Sequence, residues 1–215
     1  MTRLFFLGCA FLAAQNERQT WFGARLGINW GQYYTKAEDI TSRSTWGGGF
    51  HGALALQHQL DQKGRFALQG ELGITQRRST ERTLLSDYRY TLWSSDVGVI
   101  GVFRWLRKFE ILMIEAGPSS SILLTGRYWQ RDNLNGEENT RRVNFGRGGE
   151  RDVRRGEIAL NLGMNAAYLM GPGYLSFGLR FWHGINNLAG GAFQRWNSYG
   201  FLMSVSYWYN DALRE

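Results

Sequence analysis

Phe22-Gly23-Ala24-Arg25-Leu26-Gly27-Ile28-Asn29-Trp30-Gly31 decides the fold. Phe22, Ala24, Leu26, Ile28 and Trp30 are apolar, and the residues between them are Gly, Arg or Asn. A period of two marks a strand with unlike faces, because a helix repeats every ~3.6 residues. The apolar face is also the bulky one, while the polar face is mostly glycine. A soluble sheet would hide its bulky face in a core. A narrow barrel in lipid does the reverse, with small and polar residues filling the lumen and large apolar ones meeting the membrane.

The pattern recurs along the chain. Phe50, Leu54 and Leu56 oppose His51, Ala53, Ala55 and Gln57; Phe66, Leu68, Leu72 and Ile74 oppose Arg65, Gln69, Glu71 and Thr75. Val97, Val99, Phe103 and Trp105 oppose Asp96, Gly98 and Arg104, with Ile100 and Val102 blurring the alternation. Leu112, Ile114, Ala116, Ile122 and Leu124 oppose Glu115, Gly117, Ser119 and Ser121. Further stretches follow at 157–165, 175–181 and 200–207. Counted with the first, this predicts an all-β, eight-stranded, antiparallel up-and-down transmembrane barrel. The runs reach the ~9–11 residues that a tilted strand needs to cross a bilayer. The barrel must close, because an open edge in lipid would leave backbone groups unpaired. A soluble lipocalin-like barrel would turn its large residues inward.

Tight turns are predicted at Asp61-Gln62-Lys63-Gly64, Leu106-Arg107-Lys108 and Gly171-Pro172-Gly173. They alternate with longer charged links at 36–44, 77–87, 126–155 and 189–195. Outer-membrane barrels have short periplasmic turns and long outer loops, which places both mature termini in the periplasm. Trp21, Tyr33, Tyr34, Trp46, Tyr88, Tyr90, Trp105, Tyr128, Trp129, Trp196 and Trp208 gather near strand ends, as interfacial girdles would.

Composition narrows the class. The chain has 215 residues, 25 Lys and Arg against 18 Asp and Glu, 15% aromatics, 28 Gly, 2 Pro and 1 Cys. A disordered chain would be poor in aromatics. One cysteine makes neither a disulfide framework nor a cysteine zinc site. No apolar run approaches the ~18 residues of a membrane helix. Arg3 followed by Leu4 to Ala14 reads as a signal peptide over residues 1–14, leaving a single barrel domain at 15–215. A lipoprotein reading of Leu7-Gly8-Cys9 would leave too short an apolar core before the cysteine.

Four inward charges fall at similar depth on alternate strands: Arg25, Glu71, Glu115 and Arg180. Paired, they form a neutral layer that plugs a lumen just wide enough for side chains. No catalytic, cofactor or metal residues are expected. The three histidines, His51, His58 and His183, have no serine placed as a nucleophile and no metal-ligand spacing. The long outer loop, about 126–156, carries Arg127, Arg131, Arg141, Arg142, Arg147, Arg151, Arg154 and Arg155. It lacks a phosphate-loop Gly-Lys-Ser/Thr, and Leu134 occupies a ligand position of a would-be calcium loop. Such a loop is solvated, or its arginines meet lipopolysaccharide phosphates or an acidic partner. Nucleic acid is not an expected partner on a cell exterior.

Phe22-Gly23-Ala24-Arg25-Leu26-Gly27-Ile28-Asn29, Glu71-Leu72-Gly73-Ile74-Thr75-Gln76, Ile114-Glu115-Ala116-Gly117-Pro118 and Arg180-Phe181-Trp182-His183-Gly184-Ile185-Asn186-Asn187 together resemble the PorT-like outer-membrane barrel proteins of the Bacteroidota. The resemblance implies an eight-stranded outer-membrane barrel and no single activity; separately, no cofactor is expected, and the expected partners are outer-membrane lipid and lipopolysaccharide. For a few members the resemblance implies envelope partners in a protein secretion or gliding apparatus. The expected function is therefore non-enzymatic scaffolding or binding through the outer loops. A secretion component, a small channel and a lipid-modifying enzyme are the alternatives.

Overall fold

A computed structural model describes residues 20–36, 43–61, 63–82, 84–107, 110–145, 153–188 and 195–210. The predicted signal peptide lies outside them, as do Arg147 and Arg151. The strands are β1 (Thr20–Lys36), β2 (Arg43–Gln59), β3 (Phe66–Arg82), β4 (Ser86–Arg107), β5 (Glu110–Asp132), β6 (Glu138–Arg142), β7 (Gly156–Met170), β8 (Gly173–Gly184) and β9 (Arg195–Tyr209). Each antiparallel strand pairs with its sequence neighbour, except that β7 passes over β6 to pair with β5. The β1–β9 and β4–β5 pairings close eight strands into a barrel, and β6 adds to the upper end of β5 alone.

The alternation places the large apolar side chains outside. Leu26 is 71% exposed, Leu54 68% and Phe50 62%, whereas Arg25 on the same strand as Leu26 is 2% exposed. Water would penalise such an exterior at ~25 cal/mol per Å² of apolar surface; hydrocarbon does not. Ile100 and Val102, which blur the pattern of β4, are inward and fully buried.

The short-turn end is built by local hydrogen bonds. Asp61 Oδ1 accepts the Phe66 N–H at 2.7 Å, and Leu60 N–H donates to Phe66 O at 2.8 Å. Gly64 and Gly171 take positive φ, 66° and 59°, which glycine adopts without a Cβ penalty.

Two of the long links differ from expectation, while most of the other two, residues 37–42 and 189–194, lie outside the described residues. Residues 77–82 and 86–87 are strand: β3 runs to Arg82 and β4 begins at Ser86, paired in unbroken register. The expected outer loop from 126 is also strand at its start. β5 continues to Asp132 and turns back into β6. Cross-strand hydrogen bonds outcompete water there because both extensions find a partner of equal length. The β5–β6 turn uses its polar side chains locally: Asp132 Oδ1 accepts Leu134 N–H at 2.8 Å and Asn135 Oδ1 accepts Glu137 N–H at 3.0 Å. With 22 and 23 residues, β4 and β5 far exceed a bilayer crossing and stand above it as a wing.

Candidate functional site in the barrel interior

Strands β1, β3, β5 and β8 each send one charged side chain to the same point of the lumen. Arg25 donates from Nη1 to Glu71 Oε1 at 2.6 Å and from Nη2 to Glu115 Oε1 at 2.9 Å. Arg180 donates from Nη1 to Glu71 Oε2 at 2.5 Å and from Nη2 to Glu115 Oε2 at 2.6 Å. The result is a closed ring of alternating sign, and all four residues are buried. Gln69 Nε2 supports it from below with a 2.7 Å bond to Glu71 Oε1. Each guanidinium fork meets two carboxylates, the geometry in which buried charge is best compensated.

A second charged group lies above the ring, and the sequence reading missed it. Arg77, assigned to a link, points inward and bonds Glu157, with Asp96 at 3.7 Å and Ser121 Oγ at 3.2 Å. Its guanidinium also lies 5.4 Å from the Trp182 ring centroid. Ser198 donates to Glu157, and Thr75 and Ser94 donate to Asp96. Below the ring, Arg104 donates to Gln57 and packs over Trp21 and Tyr174, 5.8 and 5.7 Å from their ring centroids. Four arginines (25, 77, 104, 180) and four carboxylates (Glu71, Asp96, Glu115, Glu157) thus share the barrel interior, with Arg25, Arg77 and Arg180 in ion pairs and Arg104 against Gln57 and Tyr174.

The aromatics correct the girdle expectation. Trp21, Tyr33, Tyr90, Trp196 and Trp208 are buried inside. Trp21 and Trp208 flank Tyr174 at the short-turn end, with ring centroids 5.0 and 5.9 Å away. Tyr33 and Tyr90 contact Trp196 at the other end, at 6.2 and 5.0 Å. There Val143, Val153 and Leu188 complete the apolar cluster. The backbone holds them over the mouth, through Val143 N–H to Gly126 O at 3.1 Å and Arg154 N–H to Leu188 O at 2.7 Å. Gly23 makes room for one indole: a Cβ there would stand 2.5 Å from the Trp208 ring. Of the expected set Trp46 and Trp105 do face outward, and so does Trp93, which is not among them.

The three histidines and the space around them can be placed. The cavity beside His51, Thr75 and Asp96 is about 50 Å³, far below the ~300–1,000 Å³ of small-molecule sites. Thr75 gives its hydroxyl proton to Asp96 and lies 2.8 Å from His51 Nδ1, so its proton is not directed at the imidazole. A histidine base needs the opposite polarity. Among the described residues no group of His, Cys, Asp and Glu has a metal-binding arrangement. His58 bonds Thr20 at the short-turn end, and His183 is exposed.

The described arginines expected in one outer loop separate into three settings. Arg127, Arg131 and Arg142 are exposed on the outside of the wing, and Arg154 and Arg155 are exposed beside the mouth. Arg141 turns to the inner side and stacks 4.8 Å from Tyr128.

A closed antiparallel barrel with an apolar exterior and a polar, charged interior defines an integral outer-membrane β-barrel protein. The chain belongs to the outer membrane protein beta-barrel domain family, whose model matches residues 13–190. No curated protein matches the sequence. Among solved structures, the chain is similar to the outer-membrane protease OmpT from Escherichia coli (9% identity, 90% of this chain and 97% of that one, TM-score 0.51). It is similar also to Neisserial surface protein A (11% identity, 88% and 96% coverage, TM-score 0.48) and to OprG from Pseudomonas aeruginosa (8%, 91% and 99%, TM-score 0.48). At these identities the likeness extends to the fold alone.

Proposed function

We propose that this outer-membrane protein is a non-catalytic barrel with a sealed lumen, which acts by binding through its outer surface. The observation that carries the reading is the ring of Arg25, Glu71, Arg180 and Glu115, enclosed between two aromatic clusters. Paired charges filling an eight-stranded barrel leave no continuous water path, and unpairing them is costly. Both mature termini then lie in the periplasm with the short turns, and the wing projects outward. Single-channel recording of the refolded protein in planar bilayers tests the seal. Wild type gives no stepwise conductance; stable unit steps overturn the plug.

The four motif segments supply a second, finer reading: a PorT-like place among Bacteroidota barrels, with work done through envelope partners. Crosslinked pull-down from native outer membranes tests it. Recurrent recovery of the same envelope proteins supports it, and recovery of the barrel alone rejects it.

A further inference from the structure

The outer face of the wing changes chemistry rung by rung. Register aligns Ile74, Ser95 and Ile122 across β3, β4 and β5; the next rung is Gln76, Trp93 and Thr125. Above it come Arg78, Thr91, Arg127 and Arg142, now reaching β6. Thr80, Arg89, Trp129 and Thr140 follow, with Arg89 5.0 Å from the Trp129 ring centroid. The top rung, Arg82, Asp87, Arg131 and Glu138, alternates in sign along its length.

The Arg78–Arg142 rung is different, because it holds three arginines and no carboxylate. Arg127 stands directly opposite Arg142, where Cβ atoms of paired residues are ~4.5–5.5 Å apart and like charges repel. All three side chains are exposed, and among the described residues no ion pair includes any of them. Successive rungs of one face are ~7 Å apart, so these guanidinium groups start one step above Trp93, the exposed indole at the top of the apolar wall. Interfacial indoles mark the headgroup level of a bilayer. Guanidinium groups at that height, on the wall that faces lipid, match phosphate in charge and in fork geometry.

We propose that Arg78, Arg127 and Arg142 form a site on the outer wall for the phosphate groups of a surrounding glycolipid, a diphosphorylated lipid A. The site deepens the reading of a surface that works by binding and extends it to a component of the membrane itself. The lipid lies beside the barrel, its acyl chains on Ile74 and Ile122 and its phosphates on the arginine rung. Continuity with the apolar wall favours a lipid over a soluble anion, since a free phosphate gains nothing from that wall. Arg89, stacked on Trp129, borders the site from above.

The test is native mass spectrometry of the full barrel released from nanodiscs that contain diphosphoryl lipid A or the same glycolipid without phosphate. Wild type is expected to retain the phosphorylated lipid on the order of tenfold more, as charge-assisted hydrogen bonds would give. R78Q/R127Q/R142Q loses that preference, while R154Q/R155Q, changed beside the mouth, keeps it. Heat-dependent gel mobility verifies that each variant is folded. Equal retention of the two lipids, or an unchanged preference in the triple variant, overturns the site. Displacement by millimolar inorganic phosphate overturns the lipid assignment in favour of a soluble anion. The bilayer recordings are independent: a conducting barrel that still selects phosphorylated lipid refutes the plug and leaves this site standing.

Discussion

Arg25 and Arg127 illustrate two ways to hold the same guanidinium. Arg25 is buried, and its two terminal nitrogens meet two carboxylates. Arg127 is exposed, faces another arginine across the ladder and has no carboxylate in its rung. Inside the barrel each guanidinium has local partners, carboxylates for Arg25, Arg77 and Arg180 and Gln57 with Tyr174 for Arg104, because desolvation costs several kcal/mol per ion. Above the bilayer, water permits an excess, and that excess is available to a partner. The interior arginines therefore support stability, and the Arg78, Arg127 and Arg142 rung is the place where the proposed lipid site draws on such an excess.

The contrast can be broken most forcefully at the ring. Glu71→Leu leaves Arg25 and Arg180 each short of a carboxylate and should cost about 3–5 kcal/mol, as loss of one buried partner does. Urea unfolding of the refolded protein measures it; an unchanged midpoint would dismiss the ring as a stability element. Gly23→Ala comes next, at about 1–3 kcal/mol, because the new methyl must displace the Trp208 ring. The same unfolding assay applies, and recovery in G23A paired with Trp208→Leu would locate the strain. Arg127→Gln sharpens the comparison from the other side. Its unfolding free energy should stay within about 0.5 kcal/mol of wild type, since relief of repulsion at Arg142 is small in water. A loss as large as that of E71L would erase the distinction between the two settings.

The smallest effect lies at the turn. The Phe66 N–H bonded to Asp61 holds its carboxyl below the usual carboxylate range. A depressed folded value means that this contribution is present above the unfolded value, about pH 4, and is lost as pH falls through the folded one. The stability gap between wild type and Asp61→Asn should therefore narrow on acidification from neutral pH to about pH 3. A gap that widens with acid would contradict the assignment.

Much of this architecture was legible in the alternation. Parity placed Arg25, Glu71, Glu115 and Arg180 inside, and counting from strand ends placed them at one depth. The same parity carried information that proximity to strand ends obscured. Trp21 shares its phase with Arg25, and Trp208 shares its phase with Ser206, so both indoles belong inside and not in a girdle. Arg77 was lost to the loop assignment of 77–87, although it shares the phase of Thr75. The outward turn of Arg127 was not legible. Along lower β5 the odd residues Met113, Glu115, Ser121 and Leu123 face inward. Trp93 pairs with Thr125 and Ser94 with Leu123, so Leu124 is an extra residue in the ladder. Beyond it the odd residues face outward. A bulge of this kind depends on pairing with β4, which no single-strand pattern reveals.

That extra leucine has a consequence for how the surface can change over generations. A substitution alters one side chain and leaves its neighbours in place. Deleting Leu124 would instead exchange the two faces of the β5 extension at once, carrying Arg127, Trp129 and Arg131 inward and Tyr128 and Gln130 outward. Insertions and deletions are thus the coarse control on this wing, and point changes the fine one. Divergence among barrels of this kind should be read by the spacing of their strands as well as by the residues that occupy them.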